Sequence, residues 1–375
     1  MHRIRALSMA ANVCLAVVSL ACGGAMPEQA SGAPATLTLV SVDTIPEGTA
    51  SQMGRFSRVL VAADSTLYVP IQYANYVLHL DRDGRFLRRI GRSGDGPGEF
   101  SYSPNDLVAW GDLLVFVNLS QRRVSFFRKS DGEFIALRIV GGFPYSVASS
   151  DTHLFVGALS PVSSTAAGVF SPGDTAMRAI LPIPEDVRAV PLAMSAWPVS
   201  YVAAARDTAL VGFVVSNRLH LVTAAGDTLG SFALPAVRRR PIPPKLDELL
   251  EPVLRGRMRF FQFAMLASLD QRSDGSVLAI HHDWFTQDTT NRPSVDGEMV
   301  TDSLQAYASI IDRSQRRICA DTPLPLHWAS LPAAVAVHGN DIVILGHVND
   351  DSPTAVLEFR RYRVDVSSCD WLPID

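Results

Sequence analysis

The chain has 375 residues, 47% hydrophobic and 19% charged, with a formal net charge of −4 at pH 7. That composition supplies a real core and excludes wholesale disorder, and the length allows two or three ordinary domains or one large repeat domain. The acidic balance excludes a nucleic-acid binder, which needs a basic surplus to neutralise phosphates.

The first 22 residues have a secretory layout: basic His2-Arg3-Ile4-Arg5, an apolar run from Ala6 to Ala21, then small residues. The run is too short and too alanine-rich for a membrane anchor. It ends Val18-Ser19-Leu20-Ala21-Cys22-Gly23-Gly24, which resembles a bacterial lipoprotein signal with Ser19 and Leu20 in swapped order. The resemblance implies lipidation of Cys22. The alternative is a plain cleaved signal peptide whose Cys is incidental. The expected organisation is therefore signal peptide over 1–21, lipidated Cys and flexible tether over 22–35, and one folded domain over 36–375. A diacyl anchor on a tether places that domain on a membrane without inserting it.

Ala35-Thr36-Leu37-Thr38-Leu39-Val40-Ser41-Val42-Asp43-Thr44-Ile45 alternates as a strand. A repeated unit follows. Its first copy runs Leu60-Val61-Ala62, Thr66-Leu67-Tyr68-Val69, Tyr76-Val77-Leu78-His79-Leu80 and Phe86-Leu87-Arg88-Arg89-Ile90, with Asp83-Gly84 turning the last pair. Val77, Val124 and Leu219 mark one equivalent position, one period and then two periods apart. Each unit reads as four short strands with a Gly or Asp-Gly hairpin between the third and fourth. A four-stranded repeat of this length is the signature of a propeller blade.

Between the first two copies lies Ile90-Gly91-Arg92-Ser93-Gly94-Asp95-Gly96-Pro97-Gly98-Glu99-Phe100, followed by Pro104. This segment resembles the blade-to-blade loop of NHL-type β-propellers. Six copies fill residues 55–365, so the expected fold is all-β: a six-bladed β-propeller with four-stranded antiparallel blades. The N-terminal strand is expected to close the ring as the outer strand of the last blade, with residues 369–375 as the alternative. A parallel α/β fold is excluded because the linkers lack the helical periodicity that crossovers need.

Two insertions, 235–266 and 284–303, fall in loop classes that leave a propeller on one face. The first holds Arg238-Arg239-Arg240-Pro241 and then Leu246, Leu249, Leu250, Val253 and Leu254 at helical spacing. The short helix either caps the central channel or helps form a pocket. The arginine run either clamps an acidic ligand or is simply solvated.

His282 and His347 fall near the end of the second strand in the fifth and sixth copies, followed by Asp283 and by Asn349-Asp350-Asp351. They are either weak candidate ligands for a divalent metal or polar rim residues. No cofactor is otherwise expected. Trp110, Trp197, Trp284, Trp328 and Trp371 either stack on sugars or pack the core. Cys319 and Cys369 are either a disulfide in an oxidising compartment or two buried thiols. No Walker-type loop, nucleophile elbow or dinucleotide fingerprint is present.

These readings favour a monomeric, exported, lipid-anchored module of the bacterial cell envelope. It would bind a protein, peptide or glycan without catalysis. The alternative is an enzyme of the kind that the NHL resemblance implies, a metal-dependent lyase or a lactone or ester hydrolase. The ligand-binding candidates are Arg239, Arg240, His282, Asp283, Trp284, His347 and Asp350.

Overall fold

The computed structural model describes residues 32–375, apart from 54–55, 57, 73, 161, 191–198, 244, 247, 249–262, 286–302, 326–332, 349–355 and 375. It is a six-bladed β-propeller. Blade one is built from Leu60–Val61, Leu67–Ile71, Tyr76–Leu80 and Phe86–Ile90, and blade two from Asp106–Trp110, Leu113–Asn118, Arg123–Arg128 and Phe134–Ile139. Blade three uses Phe143–Ser149, Leu154–Ser160, Thr165–Phe170 and Arg178–Pro182; blade four uses Ser200–Ala205, Thr208–Phe213, Ser216–Thr223 and Thr228–Ala233. Blade five comprises Met265–Gln271, Val277–Phe285, Ser303–Asp312 and Arg317–Pro323, and blade six Ala333–His338, Asp341–Val348 and Val356–Asp365.

Blade six takes its outer strand from the other end of the chain. Thr36–Thr44 pairs antiparallel with Val356–Asp365, from Thr36 opposite Asp365 to Thr44 opposite Glu358. That closes the ring and removes a free edge. The C-terminal segment goes elsewhere: Leu372–Pro373 adds a fifth strand to blade five, opposite Arg317 and Ile318. Cys319 is bonded to Cys369, with the Cα atoms 5.9 Å apart.

The second and third strands of each blade carry residues buried on both faces, because each blade packs between two neighbours. The hydrophobic core is accordingly divided into layers between blades. Val69, Leu78, Leu80, Val343 and Leu345 fill the layer between blades one and six. Leu278, Ile280, Ile310, Ile342 and Ile344 fill that between five and six. Outer strands carry the exposed positions, including Leu39, Val42, Leu87 and Ile139.

The loop between blades one and two is an anchored structure. Arg92 and Ser93 pair in parallel with Glu99 and Phe100. The Glu99 carboxylate accepts the Gly96 N–H at 2.8 Å and the Arg92 Nε–H at 2.9 Å. Phe100 is fully buried against Phe116 and Phe127. Gly98 has φ +74°, a conformation that side-chain-bearing residues resist. Asp81, in the Asp-x-Asp-Gly turn, accepts the backbone N–H groups of Asp83 and Arg85 and so serves the hairpin.

Candidate functional site at the channel mouth

In an antiparallel four-stranded meander, the connection into the first strand and the connection from the second to the third share one end of the blade. In blade five Met265, which opens the first strand, sits opposite His282, near the end of the second. The chain therefore enters blade five, and leaves its second strand, at the same end. The core segments of both insertions, 249–262 and 286–302, lie outside the described residues.

At this end of the ring the heads of the first strands converge on a cavity of about 150 Å³. Arg58 reaches it from just before blade one, Asn105 and Asp106 from blade two, and Tyr145 and Ser146 from blade three. Tyr201 comes from blade four, and Ser268 and His282 from blade five.

One cation organises the centre. Arg58 donates from Nε to Asp106 at 2.7 Å and from Nη2 to Asp270 at 2.5 Å. Burial works against the charge of Arg58, but the two carboxylates outweigh it and its pKa rises. Asp106 also accepts the Leu107 and Val147 N–H groups, each at 2.9 Å, which ties blade two to blade three. Burial nevertheless leaves its pKa raised, against the pull of Arg58. Ser268 donates to Asp270 at 2.7 Å. Ser146 donates to the Ser200 carbonyl and accepts the Val202 N–H, tying blade three to blade four.

The remaining wall is neutral. Tyr145 and Tyr201 meet edge to face with ring centroids 5.5 Å apart. Burial raises both phenol pKa values, so both keep their protons. Burial lowers the pKa of His282 to about 4, which makes it a neutral imidazole at physiological pH.

The structure brings three of the expected ligand-binding residues together, in a clasp beside the channel. Asp283 accepts the Arg240 backbone N–H at 2.9 Å and its guanidinium at 2.5–2.7 Å. Asp321 accepts three successive N–H groups, from Val237, Arg238 and Arg239, at 2.6, 2.9 and 3.3 Å. Such a run of amides forms a nest for a carboxylate. Arg239 Nε lies 3.1 Å from the same Asp321, and both side chains are wholly buried. The arginine run is thus not a solvated charge run: Arg239 and Arg240 are engaged by Asp321 and Asp283, and they pin the start of the insertion to blade five. Behind them His281 is buried, its pKa pushed well down by burial, by Arg239 and by His282.

The other candidates are spread out. His347 lies opposite Leu357 in the blade-six ladder and Trp284 opposite Leu304 in blade five, with their side chains outside the described residues. Asp350 and Cys22 are outside them entirely. Among the described residues no three His, Cys, Asp or Glu side chains group as a metal site. Trp110 packs, partly buried, against the core, and Trp371 stacks under Arg317, whose guanidinium carbon is 4.1 Å from the ring centroid. Of the expected helix, Leu246 and Glu248 are helical and Leu246 is buried with blades four and five.

Sequence reasoning passed over Arg58, Asp106, Tyr145, Tyr201 and Asp270, which build the channel mouth. Their signal is positional. Arg58, Asp106, Tyr145 and Tyr201 each stand at or within the polar or aromatic lead into a blade's first apolar strand, as in Asn105-Asp106-Leu107-Val108 and Tyr145-Ser146-Val147-Ala148, whereas Asp270 lies near the far end of blade five's first strand.

The chain matches no family model and no curated protein. Among solved structures it is similar to a member of the DUF4221 family from Bacteroides vulgatus, 11% identical over 88% of this chain and 99% of that one, with a TM-score of 0.55. It is also similar to a Bacteroides fragilis protein provisionally named as exported, 11% identical over 87% and 95% of the two chains, with a TM-score of 0.51. At this identity the likeness shows the fold alone.

Proposed function

We propose that this propeller is a non-catalytic binding module of the bacterial cell envelope, exported and held at a membrane by acylated Cys22. Its ligand, an envelope protein, peptide or glycan, is taken at the channel mouth. One observation carries the reading. The cavity where blade heads converge has its cation engaged by the carboxylates of Asp106 and Asp270, and the rest of its wall is tyrosine, amide, hydroxyl and neutral imidazole with the apolar Ala267 and Leu269. Such a wall orients a polar, uncharged ligand on a rigid ring. The Cys319–Cys369 bond supports export, because such bonds persist in oxidising compartments. The loop over Ile90–Phe100 supports kinship with NHL-type propellers.

His282 gives the enzymatic alternative its one foothold, as a neutral imidazole sharing the cavity with Ser268. A pKa of about 4 makes it a weak base at neutral pH, which supports binding over lyase or hydrolase chemistry.

The test is calorimetric titration of the purified protein with envelope-derived peptides and oligosaccharides, with each ligand analysed afterwards. We expect saturable binding weakened by Tyr145→Phe and Ser268→Ala, and ligand recovered intact. Turnover abolished by His282→Gln would establish the enzyme instead. Cys22→Ser should move the protein from the detergent phase to the aqueous phase; unchanged partitioning would refute the anchor.

A further inference from the structure

We infer that a groove between blades one and two is a subsite for a neutral sugar residue, so that the ligand of the channel mouth is an uncharged glycan. The inference rests on the binding reading above. The groove has a volume of about 350 Å³ and lies on the same face as the channel mouth. Gln72 borders it just after the second strand of blade one, and Leu119 and Ser120 border it just after that of blade two. Tyr102 and Asn105 come from the connection between those blades, and Asn105 lines both this groove and the channel cavity. A ligand seated here reaches the Tyr145 and Tyr201 wall through Asn105.

The groove is framed from beneath. Asn118, fully buried, donates to the Tyr102 carbonyl at 2.8 Å and accepts the Ser120 hydroxyl at 2.7 Å. Asn105 accepts the Leu119 N–H on Oδ1 at 2.9 Å, which fixes the amide orientation. Its Nδ2 group, and the whole Gln72 amide, have no partner among the described residues. Tyr102, its backbone held, leaves its side chain out at 58% exposure.

The lining carries no Asp, Glu, Lys, Arg or His. A charged ligand would shed water here and find no opposite charge. A pyranose instead offers hydroxyls that both donate and accept, matching two amides and the Ser120 hydroxyl. It also offers a flat C–H face, matching an aromatic ring whose phenol tip stays wet.

Isothermal titration of the whole exported chain tests this with cello-, chito- and maltotetraose, an oligouronate and an uncharged hexapeptide. We expect a neutral tetrasaccharide to bind and the oligouronate and peptide not to bind. Tyr102→Ala should weaken binding about tenfold, as truncating an aromatic anchor does. Tyr102→Phe should keep affinity within about threefold, because the ring remains. Gln72→Ala should also weaken binding, and all three variants should retain the parent thermal midpoint, since neither residue belongs to the core. Affinity indifferent to both Tyr102→Ala and Gln72→Ala overturns the inference. So does preference for the peptide or the oligouronate, or failure of every neutral tetrasaccharide to bind. If a ligand responds to Tyr145→Phe and Ser268→Ala but not to Tyr102→Ala, the groove falls while the channel-mouth reading stands.

Discussion

Arg58 and Asp270, 212 positions apart in the chain, meet across the centre of the ring with Nη2 2.5 Å from Oδ1. Arg58 simultaneously holds Asp106 of blade two, so one side chain from beside blade one links blades on opposite sides of the channel. Side-chain exposure is only 15% for Arg58, 8% for Asp106 and 13% for Asp270. The three therefore act as a nearly buried unit.

Removing the cation leaves two carboxylates facing each other with little water. Arg58→Met should lower unfolding free energy by about 3–5 kcal/mol, the usual cost of breaking a buried ion pair from one side. Adding Asp270→Asn should recover part of that loss, since one uncompensated charge disappears. Urea unfolding of the single and double variants measures both. Additive losses would show that Arg58 and Asp270 are not coupled.

Gly98 holds its backbone at φ +74°, and a Cβ there would sit 3.0 Å from the Phe134 Cβ. Gly98→Val should destabilise by about 1–3 kcal/mol through backbone strain and this crowding. Thermal unfolding would reveal it; an unchanged midpoint would mean that the loop re-forms at no cost.

Acid sensitivity follows from the buried imidazoles. His79 stacks on Tyr68 with ring centroids 4.2 Å apart, and burial first, then Arg88, lowers its pKa to about 4. Burial takes His282 to about 4 as well, and holds His281 well below its ordinary value. These folded values lie below the unfolded value of 6.5. The stability they contribute is therefore complete above about pH 6.5 and drains away as pH falls towards 4. Asp106, with its raised pKa, runs the other way: its ionisation costs stability as pH rises past its ordinary range. That partly offsets the acid loss. The thermal midpoint should fall steadily from pH 6.5 to 4.5, and His79→Phe, which keeps the stack, should flatten the slope by about one proton. A midpoint flat across that range would contradict the burial of these rings.

The blades were legible because strand alternation and Asp-Gly hairpins are local features written directly in the chain. The ring closure by Thr36–Thr44 was legible too, because an orphan strand ahead of six complete units has one economical place to go. The destination of Leu372–Pro373 was not: two residues carry no periodicity, and their place on blade five is set by the Cys369 bond and by Trp371 under Arg317. The arginine run misled for a related reason. Three adjacent cations beside proline read as solvated until Asp283 and Asp321, contributed by two separate strands of blade five, are brought beneath them by folding. The channel mouth depends on side chains from four blades and from the segment just before blade one, which no local spacing connects.

The Cys319–Cys369 bond closes a loop of 50 residues that contains the three chain-consecutive strands of blade six. It also secures the beginning of the folded domain, since Asp370 accepts the Ala33 N–H at 2.7 Å and donates its own N–H to the Ala33 carbonyl at 3.0 Å. On the chain-entropy account, reduction should cost about 4 kcal/mol. Cys369→Ser should match the reduced protein, and reductant should then have no further effect on the variant. A parent protein whose midpoint ignores reductant would exclude the bond as a stabilising closure.

Asp321 is a charged side chain buried completely beneath the start of the insertion. Its backbone takes the left-handed conformation at φ +50°, which a short polar side chain tolerates better than most. From there its carboxylate receives the amides of Val237, Arg238 and Arg239 and faces the buried Arg239 guanidinium. Asp321→Ala would strand that guanidinium without its partner and leave the amides unsatisfied, at a cost of about 3–5 kcal/mol. Asp321→Asn keeps the shape and one acceptor oxygen, so its cost should be smaller, while still leaving the Arg239 charge uncompensated. The clasp holds the chain as it leaves blade four for blade five. Limited proteolysis should therefore cut Asp321→Ala within 235–266 before any other region, at denaturant concentrations where the parent chain is intact. Cleavage elsewhere first would mean that the insertion is held by something other than this carboxylate.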